Sequence, residues 1–452
     1  MDEKREMMGN EPINKLLIKF SVPAIIGMIV NALYNIVDGI FIGQGVGPLA
    51  LGGLTIAMPI MLVMMAIAFM VGTGAASAIS RKIGEKNIEG AQKVLGEAIF
   101  LNLIINSIVT IIIFIFMDKL LILFGATELT INYARDYMSV IAYGIVLNSF
   151  AMSTNNYVRA EGNAKVAMIT MIVGAVINII LDAVFIFALD MGIKGAALAT
   201  VIAQIFSAIW LLLYYIKGDS ILKIKISNFK LTKENVKEII MIGMAAFFRQ
   251  IAGSVLMVIV NRSLIKYGSD YHVVVLGIIN RFFMFMFMPL FGIAQGFQPI
   301  AGFNYGAKKF DRVQECFKYA SLYASIQSVV AFLVMFLFPK FVISIFTNDV
   351  NTINIGVNAL EMMIWGLPFI GFQIIGSTLF QAIGKGVESL ILTMSRQIIL
   401  LIPLVLILPL FIGVKGIYYS YPISDILSTV ITFILVVKEN KIFKLDEIQG
   451  EF

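Results

Sequence analysis

Apolar residues in this chain fall into long continuous runs, separated by short stretches of charge or of Gly, Pro and Asn. A helix needs about 20 apolar residues to cross a hydrocarbon core about 30 Å thick. Runs of that length cover 14–43, 50–79, 93–117, 130–156, 165–188, 193–216, 236–266, 272–300, 315–337, 351–381, 388–412 and 415–437. A spanning barrel would show short alternating segments instead. The pattern predicts an all-α integral membrane protein with 12 transmembrane helices.

Composition agrees. Of 452 residues, 59% are hydrophobic and only 14% charged, with a mean hydropathy of +0.92. So few charges cannot coat a water-soluble protein of this length. One cysteine, Cys316, excludes an intrachain disulfide, and one histidine, His272, excludes a His-built metal centre. The net charge of +6 has a membrane explanation, because Lys and Arg accumulate in cytoplasmic loops. No nucleic-acid partner is expected; the partner is the lipid bilayer. Basic residues cluster before the first span and after every even-numbered one, most densely at Lys217, Lys223, Lys225, Lys230, Lys233 and Lys237. Both termini are therefore expected in the cytoplasm, with the protein multi-pass in the cell membrane.

The chain also repeats itself. Gly84-Glu-Lys-Asn-Ile-Glu-Gly-Ala-Gln-Lys-Val94 is echoed by Gly306-Ala-Lys-Lys-Phe-Asp-Arg-Val-Gln-Glu-Cys316, and Arg159-Ala-Glu-Gly162 by Gln381-Ala-Ile-Gly384. Gly192-Ile-Lys-Gly-Ala-Ala197 is echoed by Gly413-Val-Lys-Gly-Ile-Tyr418 at nearly the same offset. Two halves of six spans enter the membrane with one orientation, so the repeats are parallel, an arrangement that puts a cavity between halves. The expected division is an N-lobe at 1–216, a cytoplasmic linker at 217–235, a C-lobe at 236–438 and a cytoplasmic tail at 439–452.

Polar groups within spans need a reason, since each ionised one costs about 2.5–3.5 kcal/mol at the membrane centre. In the first span Asn31, Tyr34, Asn35 and Asp38 share one helix face; in the fifth, Asn178 and Asp182 do so. At about 1.5 Å per residue, Asp38, Asp182 and Thr200 lie roughly 8–10 Å below the external ends of their spans. They are thus candidates for one oxygen-rich site in the first half. Two buried carboxylates with few cations nearby cannot both stay ionised cheaply, so the pair takes up either H⁺ or a hard cation such as Na⁺. The repeat does not copy the site, because Asp182 maps to Pro403 and Asn178 to Ile399. The second half offers Arg249, Gln250 and Arg281 as candidate cavity-lining residues, Arg281 equally as structural glue between helices, with Asp425 as a potential counter-ion. Pro23 removes one backbone hydrogen bond from the first span and is a candidate hinge.

These residues resemble the multidrug and toxic compound extrusion (MATE) family over essentially the whole chain. The resemblance is carried by Pro23 with Tyr34-Asn-Ile-Val-Asp-Gly39, Gly72-Thr-Gly-Ala-Ala-Ser-Ala78 with Ser80-Arg-Lys-Ile-Gly84, Arg159-Ala-Glu-Gly-Asn163, Asn178-Ile-Ile-Leu-Asp182 and Gly195-Ala-Ala-Leu-Ala-Thr200. It implies two parallel six-helix lobes and a secondary antiporter that exports small cationic, amphipathic drugs in exchange for H⁺ or Na⁺. It further implies a protein that needs no cofactor and is not an enzyme, with function as a monomer expected. By motif position the cation-coupling residues carry over to Asp38, Asn178, Asp182 and Thr200. A second subgroup couples through acids in the seventh and tenth spans, where this chain has Arg249 and Gln250, and only Glu361. The alternative within the same superfamily is a flippase for lipids or lipid-linked saccharides, which would want a basic cavity. A membrane enzyme or channel lacks support, for no nucleophile–base set, nucleotide loop or selectivity-filter segment is present.

Overall fold

A computed structural model describes residues 2–450. Met1, the last two residues of the expected tail and the side chains of 2–3 and 444–450 lie outside the described residues. Among the described residues, twelve helices are long and apolar enough to cross a membrane. They are α1 (Ile13–Gly45), α2 (Pro48–Gly84), α3 (Ile88–Leu123), α4 (Ile131–Ala160), α5 (Ala164–Ala188), α6 (Gly192–Lys217), α7 (Lys233–Tyr267), α8 (Asp270–Gly306), α9 (Phe310–Leu337), α10 (Val350–Ala382), α11 (Gly386–Ile412) and α12 (Val414–Phe443). All twelve expected runs are present, and several helices outlast their apolar run. α2 continues through Arg81 and Lys82 to Gly84, and α3 begins at Ile88, before Lys93. Long basic side chains let a helix extend past the apolar slab while their charges reach the polar interface.

The repeat is written into the backbone. Each sequence echo carries a residue in the left-handed region at the same place in both halves. Lys86 (φ 63°) answers Lys308 (57°), Gly162 (97°) answers Gly384 (86°), and Gly192 (59°) answers Gly413 (61°). That conformation is costly for a lysine, so its recurrence marks two loops of one design. The chain forms two parallel six-helix lobes.

The lobes meet through α1 against α8, α2 against α7, and α2 against α8. The repeat exchanges the first two crossings and maps the third onto itself. At the third, a side chain on Gly84 would strike the carbonyl of Phe303, and one on Gly306 would strike the carbonyl of Arg81. Only residues without a Cβ let these backbones touch. Polar ties are spread along α2 from this crossing toward mid-membrane: Arg81 Nη2 to Glu238 Oε1 at 2.7 Å, the Ser77 hydroxyl to the Gln381 carbonyl, and Gln298 Nε2 to the Thr73 carbonyl at 3.3 Å. The N-terminal helix Asp2–Asn10 is held by the far lobe too. Lys309 Nζ donates to Gly9 O (2.8 Å) and Arg312 Nη2 to Glu11 O, also at 2.8 Å.

All these contacts lie on the side of the membrane that holds the chain ends. On the other side the lobes part. One buried apolar cluster runs through the C-lobe and the near half of the N-lobe. A second, built on Ile42, Ile60, Leu121, Tyr137 and Ile193, belongs to the far half of the N-lobe alone. Two glutamates tie the segment between α6 and α7 to the N-lobe. Glu97 accepts from the Thr232 amide (3.1 Å), the Thr232 hydroxyl (2.8 Å) and Asn235 Nδ2 (3.1 Å), which holds the start of α7 in place. Glu161, fully buried between α4 and α5, accepts from Ser220 Oγ (2.7 Å) and the Ile221 amide (3.1 Å). Burial pushes its carboxyl from 4.5 up to about 7, against the opposing pull of Ser220, Tyr214 and Lys4.

Two outcomes are expected. Overpacking a tight contact costs about 1–3 kcal/mol, so Gly306→Val should loosen the closed side. With Cys316→Ser and Ser77→Cys in place, a thiol reagent should then label position 77 about tenfold faster, since about 1.4 kcal/mol is a decade; unchanged labelling contradicts the tight crossing. For Glu161, the folded state binds more protons than the unfolded between pH 4.5 and about 7, so stability falls as pH rises through that window and levels off above it. Glu161→Gln keeps an acceptor for Ser220 and Ile221 and should flatten this dependence of the melting temperature in detergent. Equal slopes for parent and variant would refute the assignment.

Candidate cation-binding site

α5 packs between α1 and α6 in the far half of the N-lobe. Asp38 faces it from α1 and Thr200 from α6, and α5 itself supplies Asn178 and Asp182. The four are buried, at 8%, 9%, 2% and 0% relative exposure respectively. Asp182 ends the regular part of α5, and a wider π-helical turn, Ala183–Ala188, follows directly. Such a turn offsets side-chain directions from the α-helical register and is frequent at functional sites.

Asn178 Nδ2 donates to Thr200 Oγ1 at 3.2 Å. The carboxyl groups of Asp38 and Asp182 lie within hydrogen-bonding reach of each other. Yet Asp38 Oδ1, both Asp182 oxygens and Asn178 Oδ1 have no hydrogen-bond donor. An ionised carboxylate only accepts, so these are buried acceptors turned toward one another. Among the described residues, no Lys, Arg or His forms an ion pair with either aspartate. The arrangement can be satisfied in two ways. A proton on one carboxyl turns it into a donor to the other. Alternatively, a Na⁺ ion finds carboxylate, amide and hydroxyl oxygens, the hard ligands that it prefers.

Two tyrosines complete the surroundings. Tyr34, one turn from Asp38 on α1, lies close to both aspartates. Tyr137 of α4 is buried at 2% exposure, with its hydroxyl in reach of Thr200 and its ring near both aspartates. Tyr137 is absent from the sequence-derived set. Its neighbours in the buried stripe are Ala134, Met138 and Ile141, so by pattern it reads as core. The rest of the expected polar face on α1 is looser. Asn31 and Asn35 are exposed, and Asn35 Nδ2 donates back to the Asn31 carbonyl at 2.6 Å. Pro23 sits inside a continuous α1, between Ser21 and Ile25, which both press on glycines of α8.

The C-lobe candidates separate. Arg249 lines a cavity between α7, α8, α10 and α11. Gln250 does not line it, because adjacent helical residues point about 100° apart, and it is half-buried elsewhere. Arg281 does not line it either and is exposed at mid-span. Asp425 neutralises neither of them. It accepts from Arg396 Nε at 2.7 Å, a residue that α11 brings alongside α12. Glu361 is exposed.

The family model described as MatE matches twice, at residues 23–184 and 245–407. The multidrug export protein MepA of Staphylococcus aureus (strain MSSA476) is 25% identical over 435 residues, 96% of each chain. A MOP superfamily transporter from Pyrococcus furiosus shares the fold with a TM-score of 0.91 at 27% identity, over 97% of this chain and 98% of that one. An outward-facing multidrug resistance transporter of the MATE family gives the same TM-score of 0.91 at 27% identity and the same coverage, 97% and 98%.

The unpartnered acceptors generate a prediction of unusual sign. Asp182→Asn places an amide donor opposite Asp38 and removes a buried like-charge contact, worth about 1–3 kcal/mol. In alkaline, Na⁺-free detergent solution the variant should melt a few degrees above the parent, and Na⁺ should stabilise the parent more than the variant. A lower melting temperature with an unchanged Na⁺ response would contradict the facing-acceptor geometry.

Proposed function

Given that the chain belongs to the MatE family, we propose that it exports amphipathic, mostly cationic compounds in exchange for H⁺ or Na⁺. The premise makes it a multi-pass membrane transporter and not an enzyme. The name of the staphylococcal relatives, multidrug export protein, supports the substrate class. The basic loops support cytoplasmic termini, which makes the packed side of the lobe interface the cytoplasmic one and the parted side external. The division at 1–216, 217–235, 236–438 and 439–452 then gives two rigid lobes, a connecting linker and a tail. A complete set of cation-site groups within one chain is consistent with a monomeric unit of function, and no bound cofactor enters the cycle.

In this reading the outward-open protein releases drug and loads a cation at Asp38, Asp182, Asn178 and Thr200. Loading relieves the facing acceptors. It also draws α1 toward α5 and α6, and α1 is the helix that clamps α8 across the interface. Pro23, between the two clamp contacts, is the natural bend. A membrane potential adds about 2.3 kcal/mol per charge per 100 mV to inward cation movement. The observation that carries the proposal is the set of four buried oxygens without donors. Asp38→Asn should abolish drug resistance in cells that display the variant at parental level, with the purified variant still monodisperse. Full resistance at that level would defeat the assignment.

A further inference from the structure

The C-lobe holds a cavity of opposite character to the N-lobe site. Its polar lining is Arg249 of α7, Gln373 and Ser377 of α10, and Thr393, Arg396 and Gln397 of α11. Arg396 is neutralised by Asp425, which is itself 5% exposed and turned away from the cavity lining. Arg249 makes no ion pair among the described residues. The cavity therefore carries one uncompensated positive charge inside the membrane, where a lone cation is costly and calls for a partner.

The neutral groups beside it are suited to the same task. The hydroxyls of Ser377 and Thr393 share one hydrogen bond at 2.9 Å, and Ser377 Oγ also lies 3.4 Å from the Ser389 carbonyl; when Ser377 donates to Thr393, the Thr393 proton is free for a ligand. Gln373 is anchored by its amide to the Leu392 carbonyl at 3.1 Å, and Gln397 adds a further amide. A guanidinium with hydroxyl and amide donors recognises planar or tetrahedral oxyanions. Phe291 and Ile374 supply an apolar wall. We infer that this cavity is an anion-binding subsite, taking the carboxylate or phosphate-type group of an amphipathic solute. Its footing is Arg249 and its neighbours, independent of the cation site in the other lobe.

The test uses the purified full chain in lipid-free detergent and the fluorescent zwitterion norfloxacin, with its ethyl ester as the uncharged-end control. The parent should bind the acid about tenfold more tightly than the ester, the value of one charge-assisted contact. Arg249→Gln should erase that preference while ester binding persists, which also reports a folded protein. Arg249→Lys should keep part of it. Displacement of norfloxacin by phosphatidic acid but not by diacylglycerol would assign the subsite to lipid phosphate as well; failure of both lipids to compete would assign it to soluble carboxylates. Equal binding of acid and ester, or a preference that survives Arg249→Gln, would overturn the inference.

Discussion

Two carboxyl groups that can only accept, placed against each other away from water, have no resting state without a positive ion. Asp38 and Asp182 stand in that relation, and the Asn178 oxygen beside them is equally unsatisfied. In an ordinary core such a cluster would be replaced by apolar side chains or neutralised by an arginine, as Asp425 is by Arg396. Here the fold keeps it open. α5 loses its regular helical register immediately after Asp182, and α1 lends its carboxylate while its other end is pinned to the far lobe. Any change in what the cluster holds is thus felt by the helix that also helps to close the opposite side of the protein.

That closure is a matter of backbone contact. Gly84 and Gly306 let α2 and α8 touch at the pseudo-symmetry axis, and the ties from Arg81, Ser77 and Gln298 extend the seam inward from there. Because the crossings are exchanged by the repeat, strain at one is matched at its partner, a geometry suited to rocking as two units. The lobes differ in chemistry even so. One presents acids without cations, the other an arginine without a free acid.

The gross architecture was legible because membranes impose a simple code. Twenty-residue apolar runs can only be spanning helices, and the turn motifs at Lys86 and Lys308, Gly162 and Gly384, and Gly192 and Gly413 form left-handed loops wherever they recur. Helical periodicity and depth were also enough to nominate Asp38, Asn178, Asp182 and Thr200, which the fold brings together. Direction around a helix was not legible for isolated polar residues. Arg249 and Gln250 are neighbours, yet only one reaches the cavity, and Arg281 reaches neither site. Long-range pairing escaped as well. Nothing local links Arg396 to Asp425, or Glu97 to Thr232, across 135 positions. Tyr137 stayed hidden because a tyrosine in an apolar stripe looks like packing until its hydroxyl is seen to reach Thr200.

The central claim is that loading of this acceptor cluster with a positive ion is what drives export. Its most direct test is a proteoliposome measurement with a Na⁺ gradient and a pH gradient imposed separately, following ethidium movement and ion flux together. One imposed gradient should drive ethidium against its own concentration gradient, and adding ethidium should move that ion in the opposite direction. Ethidium transport indifferent to both gradients, or equally ion-driven when Asp38 and Asp182 are both asparagine, would contradict the account.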